Sequence, residues 1–410
     1  MTALLRAGFL VLAMLLLGPI VVGATRLAAA ADDSPSPIPV LAYYYIWFDE
    51  GSWDRAKMDY PLLGRYSSDD REVMRQHVRW AKDAGIDGFI VSWKSTLRLD
   101  RRLEQLIAVA REESFKLAII YQGLDFSRQP LPIERVAADI DHFIDTYAGD
   151  PVFDIFGGPM LIWSGTWEYT PEEIGLVSGS RGLRSGCEWR SDLEPRCVLL
   201  LATERDMDGV RRLAGLVDGN AYYWSSVNPD TFPGYQAKLD AMAAAVHETD
   251  GIWIAPAAPG FDARLIGGTT VVERRDGETL RRELDAAYAS SPDAIGLISW
   301  NEFSENSHLE PSEIYGRSAL EVLADVEGGR PPVLPELDSS EPDLARTVNQ
   351  QDDVAGRVVA LGLLIGAVGV GSWVIGRRRR IGPIGEPATG PPTTGPPPPT
   401  TGPPPPPMVD

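Results

Sequence analysis

The sequence predicts an α/β protein whose body is a (β/α)8 TIM-type barrel, with a single C-terminal transmembrane helix beyond it. Three observations carry this. Between about Ile38 and Asp325, eight short apolar runs alternate with amphipathic stretches. Strands this apolar throughout are buried on both faces, as parallel βα units require, and eight such units in about 290 residues fit a barrel. No G-x-G-x-x-G follows the first run, which places the doubly wound open sheet second.

In chain order, the first residues carry Arg6, an apolar run from Ala7 to about Gly23, and the small residues Ala28, Ala29 and Ala30. That is the layout of a secretory signal with a cleavage site, expected over 1–31, with 32–37 as a short linker. The barrel domain is expected over 38–327. Its strand candidates are VLAYYYIWF, DGFIVSW, KLAIIYQ, PMLIWSG, CVLLLATE, GNAYYWS, IWIAPAAPG and AIGLISWNEF. Among the helical stretches, Arg71 to Ala84 places Val73, His77, Trp80 and Ala84 on one face. Asp69 and Asp70 are candidate caps and Gly85 a stop. Leu99 to Glu113 and Arg135 to Tyr147 repeat the pattern.

Past the barrel, 328–357 is a Pro- and acid-rich tether, and Val358 to Gly376 is uncharged. At 1.5 Å per residue, roughly 20 residues cross a hydrocarbon core of ~30 Å. Arg377 to Arg380 follow directly, and such a block marks the cytoplasmic side. The expected arrangement is single-pass in the cell membrane, with the barrel extracytoplasmic and the basic, proline-rich tail 377–410 cytoplasmic. The P-P-T-T-G-P-P-P-P repeat predicts a disordered, extended tail. It is a candidate ligand for a proline-binding partner, with a plain spacer as the simpler reading.

The net charge of −20 and pI near 4.7 exclude a nucleic-acid partner, which demands a basic surface. Only four His occur, and they form no ligand-spaced cluster, so no metal is expected. Cys187 and Cys197 flank a short polar loop. In an exported chain they predict a disulfide that stabilises by about 2–3 kcal/mol.

Barrel chemistry sits at the C-terminal strand ends. The candidates there are Tyr45, Trp47, Trp93, Lys94, Gln122, Trp163, Glu204, Tyr223 and Trp224. The last run enters ISWNEFSENSHLEPSEIYG, which carries Asn301, Glu302, Glu305, His308 and Glu310. Glycosidic cleavage needs one carboxyl protonated and one ionised. Glu302 and Glu305 enter one loop, where mutual repulsion would split their pKa values. From spacing alone, a solvated acidic loop is the competing explanation.

WNEFSENSHLE resembles the N-E-W-H-E-G-T-Q-I-E motif of glycoside hydrolase family 99, the endo-α-mannosidases and endo-α-mannanases. PLLGRYSSDDREVMRQHVRWAKDAGIDGFIVSW, AYYYIWF and IAPAAPGFD resemble three further motifs of that family. The resemblance implies a (β/α)8 barrel and retaining cleavage of an α-linked, mannose-type glycan through a 1,2-anhydro sugar, with no metal or organic cofactor. It gives Glu302 the role of base toward the sugar 2-hydroxyl and Glu305 that of acid, then base. Glu310 would bind or orient, and Tyr45, Trp47, Trp93 and Tyr223 would wall the subsites. The chain departs from the family where Ser304 replaces a His, where Asn306-Ser307-His308 replaces G-T-Q, and where Gln122 replaces a Glu. The substrate expected is a polysaccharide or glycolipid glycan. The alternative is a non-catalytic carbohydrate-binding or envelope scaffold protein on the same barrel.

Overall fold

The computed structural model describes residues 38–179, 198–331 and 334. The expected signal segment, both cysteines, most of the tether, the apolar run 358–376 and the tail lie outside the described residues. Among the described residues no helix is long and apolar enough to cross a membrane.

All eight expected runs form strands. They are β1 (Val40–Tyr45), β2 (Gly88–Trp93), β3 (Lys116–Gln122), β4 (Met160–Ser164), β5 (Leu199–Ala202), β6 (Gly219–Ala221), β7 (Ile252–Ala257) and, after a two-residue hairpin of β8 (Phe261–Asp262) and β9 (Val271–Val272), β10 (Ala294–Leu297). The eight long-range strands pair in parallel and close as β1-β10-β7-β6-β5-β4-β3-β2. This is a TIM-type barrel, with the helices between its strands.

Period-two alternation sorts each strand's side chains into two layers. Leu41, Tyr43, Ile90, Ile120, Ile162 and Ile254 fill the barrel interior. Phe89, Leu117, Leu161, Leu200 and Trp253 face outward, against the helices. Three carboxylates brace the strand starts. Asp87 accepts from Val40 N–H, Asp218 from Leu200 N–H and Asp293 from Trp253 N–H, each at 2.8 Å. Each Asp precedes one strand and bonds its neighbour, so the three fix register where the ladder begins.

Helix α1 (Arg71–Asp83) starts on Asp70, whose side chain accepts from Glu72 N–H and Val73 N–H. It stops where Gly85 turns left-handed at φ 93°. Asp69, also a candidate cap, has another task. It pairs with Arg102 of helix α2 (Leu97–Glu112) at 2.7 Å. Arg102 is 1% exposed and also donates to the Ile46 carbonyl at 3.0 Å. One buried guanidinium therefore ties α2 to the segment leaving β1 and to the entrance of α1. The third expected helix runs over α3 (Ile133–Thr146).

Arg102→Met keeps much of the side-chain volume and removes both bonds. It is expected to leave the Ile46 carbonyl unsatisfied and to cost about 2–3 kcal/mol. Chemical denaturation of the variant against the parent measures this.

Candidate active site

The two glutamates of the last loop come together inside the C-terminal end of the barrel. Beyond β10 the chain continues its barrel contact through Trp300 N–H, which donates to the Tyr43 carbonyl at 2.7 Å. It then leaves the ladder, and Asn301 substitutes for a strand neighbour. Its Oδ1 accepts from Tyr45 N–H at 2.9 Å, and its Nδ2 donates to the Tyr45 carbonyl at 3.0 Å. The loop folds back on itself. Ser299 N–H donates to Ser307 O at 2.8 Å, and Glu310 N–H to Trp300 O at 2.8 Å. Glu302 and Glu305 sit on the bend and are each 1% exposed.

Burial is costly for an ionised carboxylate. It pushes Glu302 up to about 7, against the opposing help of the Ser304 N–H, which donates to Oε1 at 2.9 Å, and of the Lys57 charge. Burial also pushes Glu305 up, well above the ordinary carboxyl range. The Glu302 charge adds to that rise, and Arg128 opposes it. The Ser304 N–H favours the ionised form of Glu302, and no donor among the described residues does the same for Glu305. Glu302 Oε2 and both oxygens of Glu305 have no hydrogen-bond partner among the described residues. Such buried orphans mark a place built to receive a ligand's polar groups.

Aromatic side chains wall this pair. Tyr45 and Tyr223 share a hydrogen bond at 2.8 Å, and Trp47 stacks on Tyr45 with ring centroids 4.2 Å apart. The Glu302 and Glu305 charges both act on the Tyr45 and Tyr223 hydroxyls. Burial keeps both tyrosines as phenols. Gln122 reaches inward and donates from Nε2 to Ser92 Oγ at 3.1 Å. Lys94, half-buried at the end of β2, sits 5.1 Å from the Phe126 ring centroid.

Several candidates stand elsewhere. Trp93 is a correction: it faces outward, fully buried, and donates from Nε1 to Asp100 of α2 at 3.0 Å. Trp224 is another, stacked on Tyr235 of the helix Tyr235–His247 at 4.5 Å. Trp163 also faces outward, against Tyr169. Glu204 takes Arg212 at 2.8 Å. These residues lie on the outward phase of their strands, so packing, and not a sugar, accounts for them.

Asn301, His308 and Glu310 are fully buried and hold the loop through side-chain hydrogen bonds. Glu310 accepts from Tyr66 at 2.8 Å and from His77 Nε2 at 3.0 Å. His77 Nδ1 in turn meets the Tyr44 hydroxyl at 3.0 Å. Burial and the adjacent Arg274 push His308 down to about 4, so it is neutral. Its Nδ1 accepts from Arg274 at 3.2 Å, which leaves Nε2 to donate to Asp59 at 3.2 Å. Against the pull of burial, His308, Ser312 and the Ile314 N–H hold Asp59 below its ordinary range. Arg274 also donates to the Asn306 carbonyl at 2.9 Å, next to Glu305. Sequence reasoning missed Lys57, Asp59, Arg128 and Arg274. None stands in a distinctive local pattern, and each matters only through contacts far along the chain.

The carboxyl pair has a signature in stability. A carboxyl raised on folding stabilises below its unfolded pKa, and that contribution is lost as pH rises through the folded value. The protein is therefore expected to lose Tm between about pH 5 and about pH 8. Glu305→Gln should flatten this decline and raise Tm most at the alkaline end. Thermal melts across pH, compared with the parent, measure the difference.

Similarity to known proteins agrees with this geometry. Residues 42–325 match the model of glycosyl hydrolase family 99. A glycoprotein endo-alpha-1,2-mannosidase-like protein of Danio rerio is 26% identical over 275 residues, which are 63% of this chain and 60% of the relative. The mouse glycoprotein endo-alpha-1,2-mannosidase is 22% identical over 295 residues, covering 68% of this chain and 62% of its own. The matched stretch thus spans about three-fifths of these relatives' length. A GH99 endo-alpha-mannosidase structure from Bacteroides thetaiotaomicron superposes with TM-score 0.58 at 19% identity, covering 70% of this chain and 96% of that one. At that identity the superposition speaks to the fold. The family match extends over most of the chain and over every barrel strand except the first residues of β1, and the chain belongs to glycosyl hydrolase family 99.

Proposed function

We propose that the protein is a retaining glycoside hydrolase acting on an α-linked, mannose-type glycan, with Glu302 and Glu305 as its two working carboxyl groups. One observation carries this reading: both carboxyls are buried and each feels a cation, Lys57 or Arg128, yet only Glu302 accepts a backbone N–H. The endo-mannosidase names of the relatives support the substrate class.

In the first step Glu302 takes the proton of the sugar 2-hydroxyl. The freed O2 attacks C1, the C1–O bond to the leaving group breaks, and Glu305 gives its proton to that oxygen. The product is a 1,2-anhydro sugar and a free leaving alcohol. In the second step Glu305, now ionised, takes a proton from water as the water opens the three-membered ring at C1. Glu302 returns its proton to O2. Two displacements at C1 retain configuration, and both carboxyls end as they began. Tyr45, Trp47 and Tyr223 supply apolar faces for the pyranose. Gln122 offers an amide where the family motif has a carboxylate.

We also read the termini as a signal segment and a membrane span, which would hold the barrel at the outer surface near an envelope glycan. The support is the sequence pattern alone: an uncharged run of bilayer length with four arginines behind it. Intact cells should expose the barrel, and not the proline-rich tail, to added protease; protection of both would overturn this orientation.

Glu305→Gln should cut turnover of an unactivated α-mannan about 10²- to 10⁴-fold. An aryl α-mannoside, whose leaving group needs no proton, should recover much of the loss. Glu302→Gln should not be rescued that way. A non-catalytic binder shows no turnover in either variant or in the parent. Because Lys57 favours the charged form of Glu302, Lys57→Met should move the acidic limb of kcat/KM, expected near pH 7, to higher pH.

A further inference from the structure

Glu305 is placed by its backbone, because neither of its carboxyl oxygens meets a donor among the described residues. The hairpin of β8 and β9, which follows β7, supplies that placement. Asp262 N–H of β8 donates to the Glu305 carbonyl at 2.7 Å. Arg274, just past β9, reaches the next residue and donates from Nη2 to the Asn306 carbonyl at 2.9 Å. Asn306 sits at φ 51°, a left-handed conformation that asparagine tolerates better than most residues but that still has to be held. The turn that aims Glu305 is therefore gripped on two successive carbonyls by one hairpin.

A third contact closes the grip. Asn306 Nδ2 donates to the Tyr315 hydroxyl at 3.1 Å, and the Arg274 guanidinium lies over the Tyr315 ring, 4.1 Å from its centroid. Arg274, Asn306 and Tyr315 thus touch pairwise. Arg274 Nη2 also donates to His308 Nδ1 at 3.2 Å, and His308 stacks on Phe303 at 4.0 Å, so the loop is fastened on both sides of Glu305. Burying a guanidinium is costly, and the hydrogen bonds and stacking contact of this one all end on the loop that carries Glu305. The arginine is itself anchored. Its carbonyl accepts from Gly277 N–H at 3.0 Å, where the helix Glu278–Ala289 begins, and Thr279 of that helix donates from Oγ1 to the Glu273 carbonyl at 2.6 Å. Gly260, at the root of the hairpin, leaves room for the arginine stem: a Cβ there would stand 2.8 Å from Arg274 Cγ and from the Val272 carbonyl oxygen. Glu283 of the same helix is fully buried and accepts from Ala258 N–H at 2.7 Å, which fixes the chain where β7 ends and the hairpin starts.

We infer that Arg274, with Tyr315 as its companion, is a positioning residue for the acid of the reaction: it holds the Glu305–Asn306 turn so that the Glu305 carboxyl meets the glycosidic oxygen. This rests on the glycan-cleaving reading above. Arg274 acts through the Asn306 peptide and not on the sugar. Both oxygens of Glu305 stay free for the substrate, and their aim is set from behind.

The test compares the full chain with Arg274→Met, Arg274→Lys and Tyr315→Phe on an α-mannan and on aryl α-mannosides of graded leaving-group acidity. A shift of about 1 Å in a catalytic group costs about 10²-fold, and a misplaced acid is felt most where the leaving group needs a proton. Arg274→Met is therefore expected to lower kcat/KM on the mannan about 10²-fold, and on the most acidic aryl leaving group less than about tenfold. Its rate should depend more steeply on leaving-group acidity than the parent's does. Arg274→Lys should recover part of the loss, and Tyr315→Phe should show the same steepening in weaker form. An equal loss on every substrate, the signature of a merely structural role, overturns the inference. A second arm needs no turnover. Glu305→Gln is expected to raise Tm at alkaline pH only while the loop keeps the carboxyl from water, so the rise should shrink when Arg274→Met is added. The same change in both backgrounds overturns the inference as well. Should Arg274→Met fail to fold, Tyr315→Phe answers both arms. A parent without turnover on any substrate, but with a rise that shrinks, sinks the hydrolase reading and leaves Arg274 as the brace of Glu305.

Discussion

Two carboxyl groups kept out of water, with three of their four oxygens unpartnered, set the terms for the rest of this molecule. Desolvated acids are unstable neighbours. The loop that bears them would relax to let water in unless something rigid held it. That something is a set of polar side chains buried behind it. Asn301 pins the loop to the β1 backbone, Glu310 anchors it on Tyr66 and His77, and the Asp59–His308–Arg274 chain fixes the turn after Glu305. Of these supporting side chains only Arg274 keeps an unpartnered atom, its Nε, among the described residues, and a buried polar network so nearly satisfied stiffens a site.

The same economy explains the division of labour between the two acids. They share one burial and each feels a cation, Lys57 or Arg128, yet one backbone N–H separates them. The Ser304 N–H favours an ionised Glu302, while neither oxygen of Glu305 meets a donor among the described residues. Rigid support from distant elements and asymmetric local donors are therefore complementary. The first keeps the acids where they are and the second tells them apart.

Much of the fold was legible in the sequence because parallel barrel strands are buried on both faces and read as unbroken apolar runs. Each of the eight runs became a strand. The error came from inside those runs. Trp93 and Trp224 were chosen as strand-end aromatics, although each lies one residue out of phase with the inward positions Ser92 and Tyr223. The alternation that separates them was present in the sequence, but in a run apolar on both faces it carries no contrast. The two glutamates were legible through a motif. Their supports were not, since Tyr66, Asp59 and Arg274 meet the loop across long stretches of chain, as with Tyr66 and Glu310 at a separation of 244 residues. A local window holds no trace of such pairs.

The three aspartates at the strand starts have a consequence for change over time. Asp87, Asp218 and Asp293 each clamp the neighbouring strand at the end of the barrel remote from the glutamates. A one-residue slip in any of those pairs would strand a carboxylate and invert which side chains look inward. Alignment of the staves is thus guaranteed from below. The rim above them is free to vary, and loops there can be shortened, lengthened or recharged without the barrel losing count. The long link over 46–70 between β1 and α1 is the kind of elaboration that such a foundation permits.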